Sequence, residues 1–131
     1  MNINDEDVSK MARKGLREGF TDLVKLCIER GYDVNVTNEY GKTPLHEATS
    51  FGLTKIVELL LKNGANVNFA DEIDGNTPLH EAARFGYIKI AEFLIKKGAD
   101  VKITNKSGFT PLYDAEIRGY TEIAELLKKK G

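Results

Sequence analysis

Thr43-Pro44-Leu45-His46-Glu47-Ala48 returns as Thr77-Pro78-Leu79-His80-Glu81-Ala82 and, altered, as Thr110-Pro111-Leu112-Tyr113-Asp114-Ala115, at offsets of 34 and 33 residues. Two further sets of landmarks keep that period. Gly31, Gly64, Gly98 and Gly131 lie 33, 34 and 33 residues apart, and Gly19, Gly52, Gly86 and Gly119 do the same. Self-similarity at such a period marks an array of one supersecondary unit. The extra residue falls between Asn68 and Thr77 and enlarges the turn Ala70-Asp71-Glu72-Ile73-Asp74-Gly75.

Each unit carries its own helix signals. Thr43, Thr77 and Thr110 are N-cap residues by type, and each precedes a proline, whose missing N–H and fixed φ suit the first helical position. Gly52, Gly86 and Gly119 stop this short helix. A second helix follows with apolar residues at helical spacing: Ile56, Val57, Leu60 and Leu61, then Ile90, Ala91, Leu94 and Ile95, then Ile123, Ala124 and Leu127. Lys62, Lys96-Lys97 and Lys128-Lys129-Lys130 precede its closing glycine, where cations suit the negative end of the helix dipole. Glu58/Lys62, Glu92/Lys96 and Glu125/Lys129 are spaced for i,i+4 pairing, so the lysine runs read as a solvated face rather than a basic binding patch.

The composition fits a single domain of 131 residues, with 41% hydrophobic and 30% charged residues. Nineteen Lys and Arg nearly cancel twenty Asp and Glu, which gives no field to gather nucleic acid or anionic membrane. No apolar run reaches membrane-spanning length, and the acidic start Asn4-Asp5-Glu6-Asp7 is unlike a signal peptide. The single cysteine, Cys27, sits in an apolar run and has no partner in the chain, which leans towards a reducing compartment; the expectation is cytoplasmic.

Gly-x-Thr-Pro-Leu-His-x-Ala, a glycine, an apolar helix and Gly-Ala-(Asp/Asn)-Val together resemble the ankyrin repeat, from about Lys10 to Gly131. The resemblance implies an all-α solenoid of stacked helix-turn-helix units with β-hairpin-like finger turns. One helix pair cannot cover its apolar face, so neighbours stack and the end units need polar outer faces. The expected division is an N-terminal capping repeat at 1–36, a second repeat at 37–69, a third with the inserted residue at 70–103, and a C-terminal capping repeat at 104–131. The first unit lacks Thr-Pro-Leu-His, and Val8, Met11, Ala12, Gly15 and Leu16 form one inward stripe on a helix starting near Asp5. The last puts Glu116 where Thr49 and Ala83 stand. Both read as caps, and the array is expected to be complete.

Catalytic readings fail on spacing. His46-Glu47 and His80-Glu81 lack the second histidine four residues on that a zinc protease needs; Ser50 and Arg84 stand there. The histidines are instead expected to bond the Thr hydroxyl and nearby turn backbone. Gly41-Lys42-Thr43 lacks the preceding glycine of a phosphate loop, and the enlarged turn begins with Ala70 where a calcium ligand belongs. No metal, cofactor or catalytic residue is expected, and the chain reads as a non-enzyme.

Partners of ankyrin repeats are usually gripped by finger tips and the exposed side of each first helix. In register these positions are Glu39, Tyr40, Lys42, Ser50 and Phe51; Ile73, Asp74, Asn76, Arg84 and Phe85; and Lys106, Ser107, Phe109, Ile117 and Arg118. Large apolar residues recur there beside Arg84 and Arg118, and aromatic and arginine side chains dominate binding energy at interfaces. The plainer reading is that Phe51 and Phe85 only cover adjacent helix. Asp71, Glu72 and Asp74 on the longest finger suit either a basic partner or solvent. The expectation is a monomeric adaptor, scaffold or inhibitor that binds another protein or peptide, with neither nucleic acid nor membrane as partner. The alternative is a stable repeat scaffold, natural or engineered, without a dedicated partner.

Overall fold

The computed structural model describes residues 4–131. Over these residues the chain forms eight helices and no strand: α1 (Asp5–Glu18), α2 (Thr21–Glu29), α3 (Pro44–Ser50), α4 (Thr54–Lys62), α5 (Pro78–Phe85), α6 (Ile88–Lys96), α7 (Pro111–Ile117) and α8 (Thr121–Lys130). The first helix of each pair, α1, α3, α5 or α7, packs on the second, which follows it across a short link. First helices then pack on first helices, in the order α1, α3, α5, α7, and second helices on second helices, in the order α2, α4, α6, α8. This is the stacked solenoid that the repeat implies.

The helix starts follow the expected chemistry. Thr43, Thr77 and Thr110 cap α3, α5 and α7 by accepting from the amides of His46, His80 and Tyr113. Asn4 caps α1 through the Asp7 amide at 2.8 Å, and Asp5, Glu6 and Asp7 fill the first turn, where carboxylates favour the dipole. Val8, Ala12, Gly15 and Leu16 are its buried face, while Met11 is only half-buried.

The core runs the length of the stack. Leu16, Val24, Leu45, Ile56, Leu60, Leu79, Ile90, Leu94, Ile123 and Leu127 are buried in one cluster; Cys27 lies with Val8, Ala12 and Tyr32 in a smaller one. A fully buried leucine or isoleucine contributes about 1.5–3 kcal/mol. Burial pushes the Cys27 thiol up, so it is a packing residue and not a reactive thiolate.

Side-chain amides join the units along the other edge. Asn35 donates to the Gly64 carbonyl at 3.0 Å and accepts from the Asn66 amide at 2.7 Å. Asn68 repeats this with Gly98 and Asp100 at 3.2 and 2.8 Å. The expected i,i+4 lysine pairs do not close. Among the described residues the ion pairs are Lys10–Glu6, Lys42–Glu81 and Lys128–Glu116. Long exposed side chains on a helix gain too little from pairing to be held in one geometry.

Candidate protein-binding surface

The three finger turns are built by one residue each. Asn38 Oδ1 accepts from the amides of Tyr40 and Lys42 at 2.9 and 3.0 Å, and Asn105 Oδ1 accepts from Ser107 and Phe109, both at 3.0 Å. Asp71 holds the longer turn with both oxygens: Oδ1 accepts from Ile73 and Asp74 at 3.0 and 2.7 Å, and Oδ2 from Asn76 at 3.2 Å. A short polar side chain mimics turn backbone in this way. The second oxygen absorbs the inserted residue. Asp71 is therefore buried and belongs to the turn; of the three finger acids, only Glu72 and Asp74 face solvent.

Each finger closes with two backbone bonds: the amides of Asn38, Asp71 and Asn105 donate to the carbonyls of Lys42, Asn76 and Phe109 at 2.9 Å, and the amides of Gly41, Gly75 and Gly108 donate back to the carbonyls of Asn38, Asp71 and Asn105 at 2.9, 3.1 and 3.0 Å. Both bonds fall within one tight turn and no ladder extends beyond it, so the described fingers are hairpin bends without strands. Histidines then lock finger to helix. His46 Nε2 donates to the Asn76 carbonyl and His80 Nε2 to the Phe109 carbonyl, both at 2.8 Å. Their Nδ1 atoms accept from the Thr43 and Thr77 amides at 3.2 and 3.1 Å, so the neutral Nε2–H tautomer fits both sites. Burial pushes both imidazoles below their ordinary pKa, against the opposing pull of those carbonyls.

On this frame Tyr40, Phe51, Ile73, Phe85, Phe109 and Ile117 stand between 37% and 64% exposed, apolar side chains that the core does not use. Phe85 also leans on Tyr87, with ring centroids 6.1 Å apart. Asn76 departs from the expectation. It is buried, and its side-chain oxygen accepts from Asn105 at 2.9 Å because the lengthened finger tucks it against the next one. Lys42 and Ser50 are half-buried and engaged: Lys42 lies 4.0 Å from Glu81, and Ser50 donates to the His46 carbonyl at 2.9 Å and to Glu81 at 3.3 Å.

Asp74, Arg84, Ser107, Phe109, Ile117 and Arg118 line one cleft of about 280 Å³ between the last two fingers and α7. Asn76, Asn105, Tyr113 and Asp114 complete it. Tyr113 is the residue that sequence reading missed. It replaces the locking histidine, and its exposed ring stacks on Phe109 with centroids 4.1 Å apart and planes 18° from parallel. The signal was the break in Thr-Pro-Leu-His, which reads as a cap and gives no hint of where the ring goes.

Beneath the exposed row lie three acids in register, Glu47, Glu81 and Asp114. Burial raises each carboxyl above its ordinary pKa. Asn38, Arg13 and Arg17 oppose this at Glu47, Lys42 and Arg84 at Glu81, and His80, Arg84 and Arg118 at Asp114. Glu81 is the deepest, and its Oε1 accepts no hydrogen bond.

The arrangement offers apolar and charged side chains on an open face. No helix among the described residues is long and apolar enough to cross a membrane. Comparison with known proteins agrees with the repeat. The mouse BCL-6 corepressor-like protein 1 is 37% identical over 71 residues, 53% of this chain and 4% of that protein. The mouse protein phosphatase 1 regulatory subunit 12A is 44% identical over 56 residues, 43% of this chain and 5% of that protein. This chain thus spans only a small part of either relative. A family model described as "Ankyrin repeats (3 copies)" matches residues 11–105 and 74–131. With both the stacked helix pairs and this match over most of its length, the chain belongs to the ankyrin-repeat family.

Proposed function

We propose that this chain is a noncatalytic binding module, an adaptor, scaffold or inhibitor, that holds another protein or peptide across its finger tips and the concave side of its first helices. The observation that carries the reading is the row of exposed Tyr40, Phe51, Ile73, Phe85, Phe109 and Ile117, which lies on a rigid, hydrogen-bonded frame yet outside the core. Contiguous exposed apolar residues rimmed by charge mark interaction sites. The contact set comprises Tyr40, Lys42, Ser50, Phe51, Ile73, Asp74, Arg84, Phe85, Ser107, Phe109, Ile117 and Arg118; Asn76 supports it from below.

The chain works in this reading as a monomer of four repeats, divided after residues 36, 69 and 103, in the cytoplasm. The single buried cysteine fits a reducing compartment. A scaffold without a partner would give the face no reason to expose aromatics.

The test replaces Phe51, Phe85 and Phe109 together by serine and compares capture of host-cell proteins with wild type. Capture should fall at least tenfold while the helical signal and the melting temperature hold. An intact fold with undiminished capture would remove the concave face from the reading.

A further inference from the structure

In the second and third units a glutamate follows the locking histidine, but only one of the two is fully supplied with donors. Asn38, which builds the first finger, also donates its Nδ2 to Glu47 Oε1 at 3.3 Å. In the third unit Asp71 stands in the place of Asn38 and has no amide to give; its two oxygens hold the lengthened turn. Glu81 is left with the Ser50 hydroxyl on Oε2 at 3.3 Å, while Oε1 accepts from no group among the described residues. Lys42 Nζ stops 4.0 Å from Oε1, beyond hydrogen-bonding distance, on a side chain that is 33% exposed.

The unmet acceptor fixes the sign of what is missing. A carboxylate oxygen only accepts, so its partner must be a donor. Glu81 is 3% exposed and Asp71 2%, which places two buried carboxylates in one unit. Glu72 and Asp74 add two exposed ones on the same finger. Three bases stand near these four acids: Arg84, which makes no ion pair among the described residues, Lys42, and Lys106, whose Nζ donates to the Glu72 carbonyl. Acid remains in excess. A buried carboxylate short of one donor costs stability, and such breaches collect at functional sites.

We infer that the concave face takes a basic peptide segment of a partner protein, with a lysine or arginine side chain that replaces Lys42 and donates to Glu81 Oε1, and with apolar neighbours packed on the exposed Tyr40, Phe51, Ile73 and Phe85 of the same two units. The inference rests on the reading of the concave face as a binding surface and adds the chemistry of what binds. A charge-assisted bond to a desolvated carboxylate is worth more than a pairing at an exposed acid, so Glu81 outweighs Glu72.

The experiment is selection from a random twelve-residue peptide library displayed on phage, against the full chain, followed by binding of the enriched synthetic peptides. Enriched peptides should carry Lys or Arg beside an aromatic or aliphatic residue. Their affinity should fall tenfold or more in Glu81→Gln, while the melting temperature of that variant at pH 7 holds or rises. In Glu72→Gln, which removes the same charge at an exposed position, affinity should fall less than about threefold. Acidic or uncharged peptides, basic peptides indifferent to Glu81→Gln, or equal losses in the two variants would overturn the inference. If binding depends on Phe51 and Phe85 but not on Glu81, the inference fails and the concave reading stands. If no peptide depends on either set, both fail.

Discussion

The Glu116 carboxylate and the Lys128 ammonium lie 3.5 Å apart, joining α7 to α8 on the outer face of the fourth unit. Glu116 stands in the register of Thr49 and Ala83, both buried, and Lys128 in that of Leu61 and Ile95, which pack against the core. Two positions that are buried or packed on the core in the preceding units have thus become one exposed ion pair. The exchange supports the proposal that this unit is a cap, whose outer face would be polar.

Because the pair is exposed, Glu116→Ala alone should cost less than about 1 kcal/mol in urea denaturation. Combining Glu116→Ala with Lys128→Ile restores the internal residue types and leaves an apolar end. That double variant should stay folded and sediment as larger species at concentrations where the wild type does not. Unchanged sedimentation would show that the pair does not guard the face.

Gly86 and Gly119 share a left-handed backbone, with φ of 79° and 77°, but not their surroundings. A Cβ on Gly86 would meet the Tyr120 ring at 2.7 Å, whereas one on Gly119 meets nothing within 4 Å. Gly119→Ala should therefore cost about 1–2 kcal/mol from backbone strain alone. Gly86→Ala adds overpacking of about 1–3 kcal/mol. Chemical denaturation of the two variants side by side reads the difference; equal losses would mean that the aromatic-on-glycine contact between units carries no weight.

His80→Leu removes the acceptor for the Thr77 amide and the donor to the Phe109 carbonyl, a loss of roughly 2–4 kcal/mol at pH 7. Since burial lowers the folded pKa below 6.5, the unfolded chain binds the proton more readily. The histidine's contribution is complete above about pH 6.5 and is lost as pH falls from there through the folded value. The stability gap between wild type and variant should narrow on that descent. A gap that widens in acid would mean that the folded chain holds the protonated imidazolium and would contradict the neutral ring.

Glu81 has the opposite sign. Its folded pKa lies above the ordinary 4.5, so ionisation weakens the fold progressively as pH rises from about 4.5 through the folded value. Glu81→Gln should stabilise the chain at pH 7 by on the order of 1 kcal/mol, the scale of one poorly satisfied buried polar group. That advantage should vanish near pH 4. Destabilisation at neutral pH would mean that Lys42 compensates the carboxylate fully.

The repeat and its helices were legible because their signals are local. Thr-Pro starts each first helix and glycine ends it within one stretch of chain, and the histidine's role follows from its recurrence. The contacts between units were less visible. Asn76 occupies an exposed-looking turn position, yet the residue inserted before it folds it against Asn105. Asp71 looks like a solvated acid, yet the longer turn needs both its oxygens. Tyr113 breaks a motif, but the break gives no sign that its ring stacks on Phe109 of the adjoining finger. Spacing along one helix suggested Glu125 with Lys129; the pair that closes, Glu116 with Lys128, crosses between helices.

The most direct test of the binding face is site-specific photo-crosslinking in the host cell. A benzophenone amino acid is placed at Phe51, on the first-helix face and 52% exposed, and in parallel at Lys89, exposed on the second-helix side. Illumination should give a discrete adduct with another protein at position 51 and none at 89. Adducts at 89 alone, or at neither position, would contradict a partner held on the concave face.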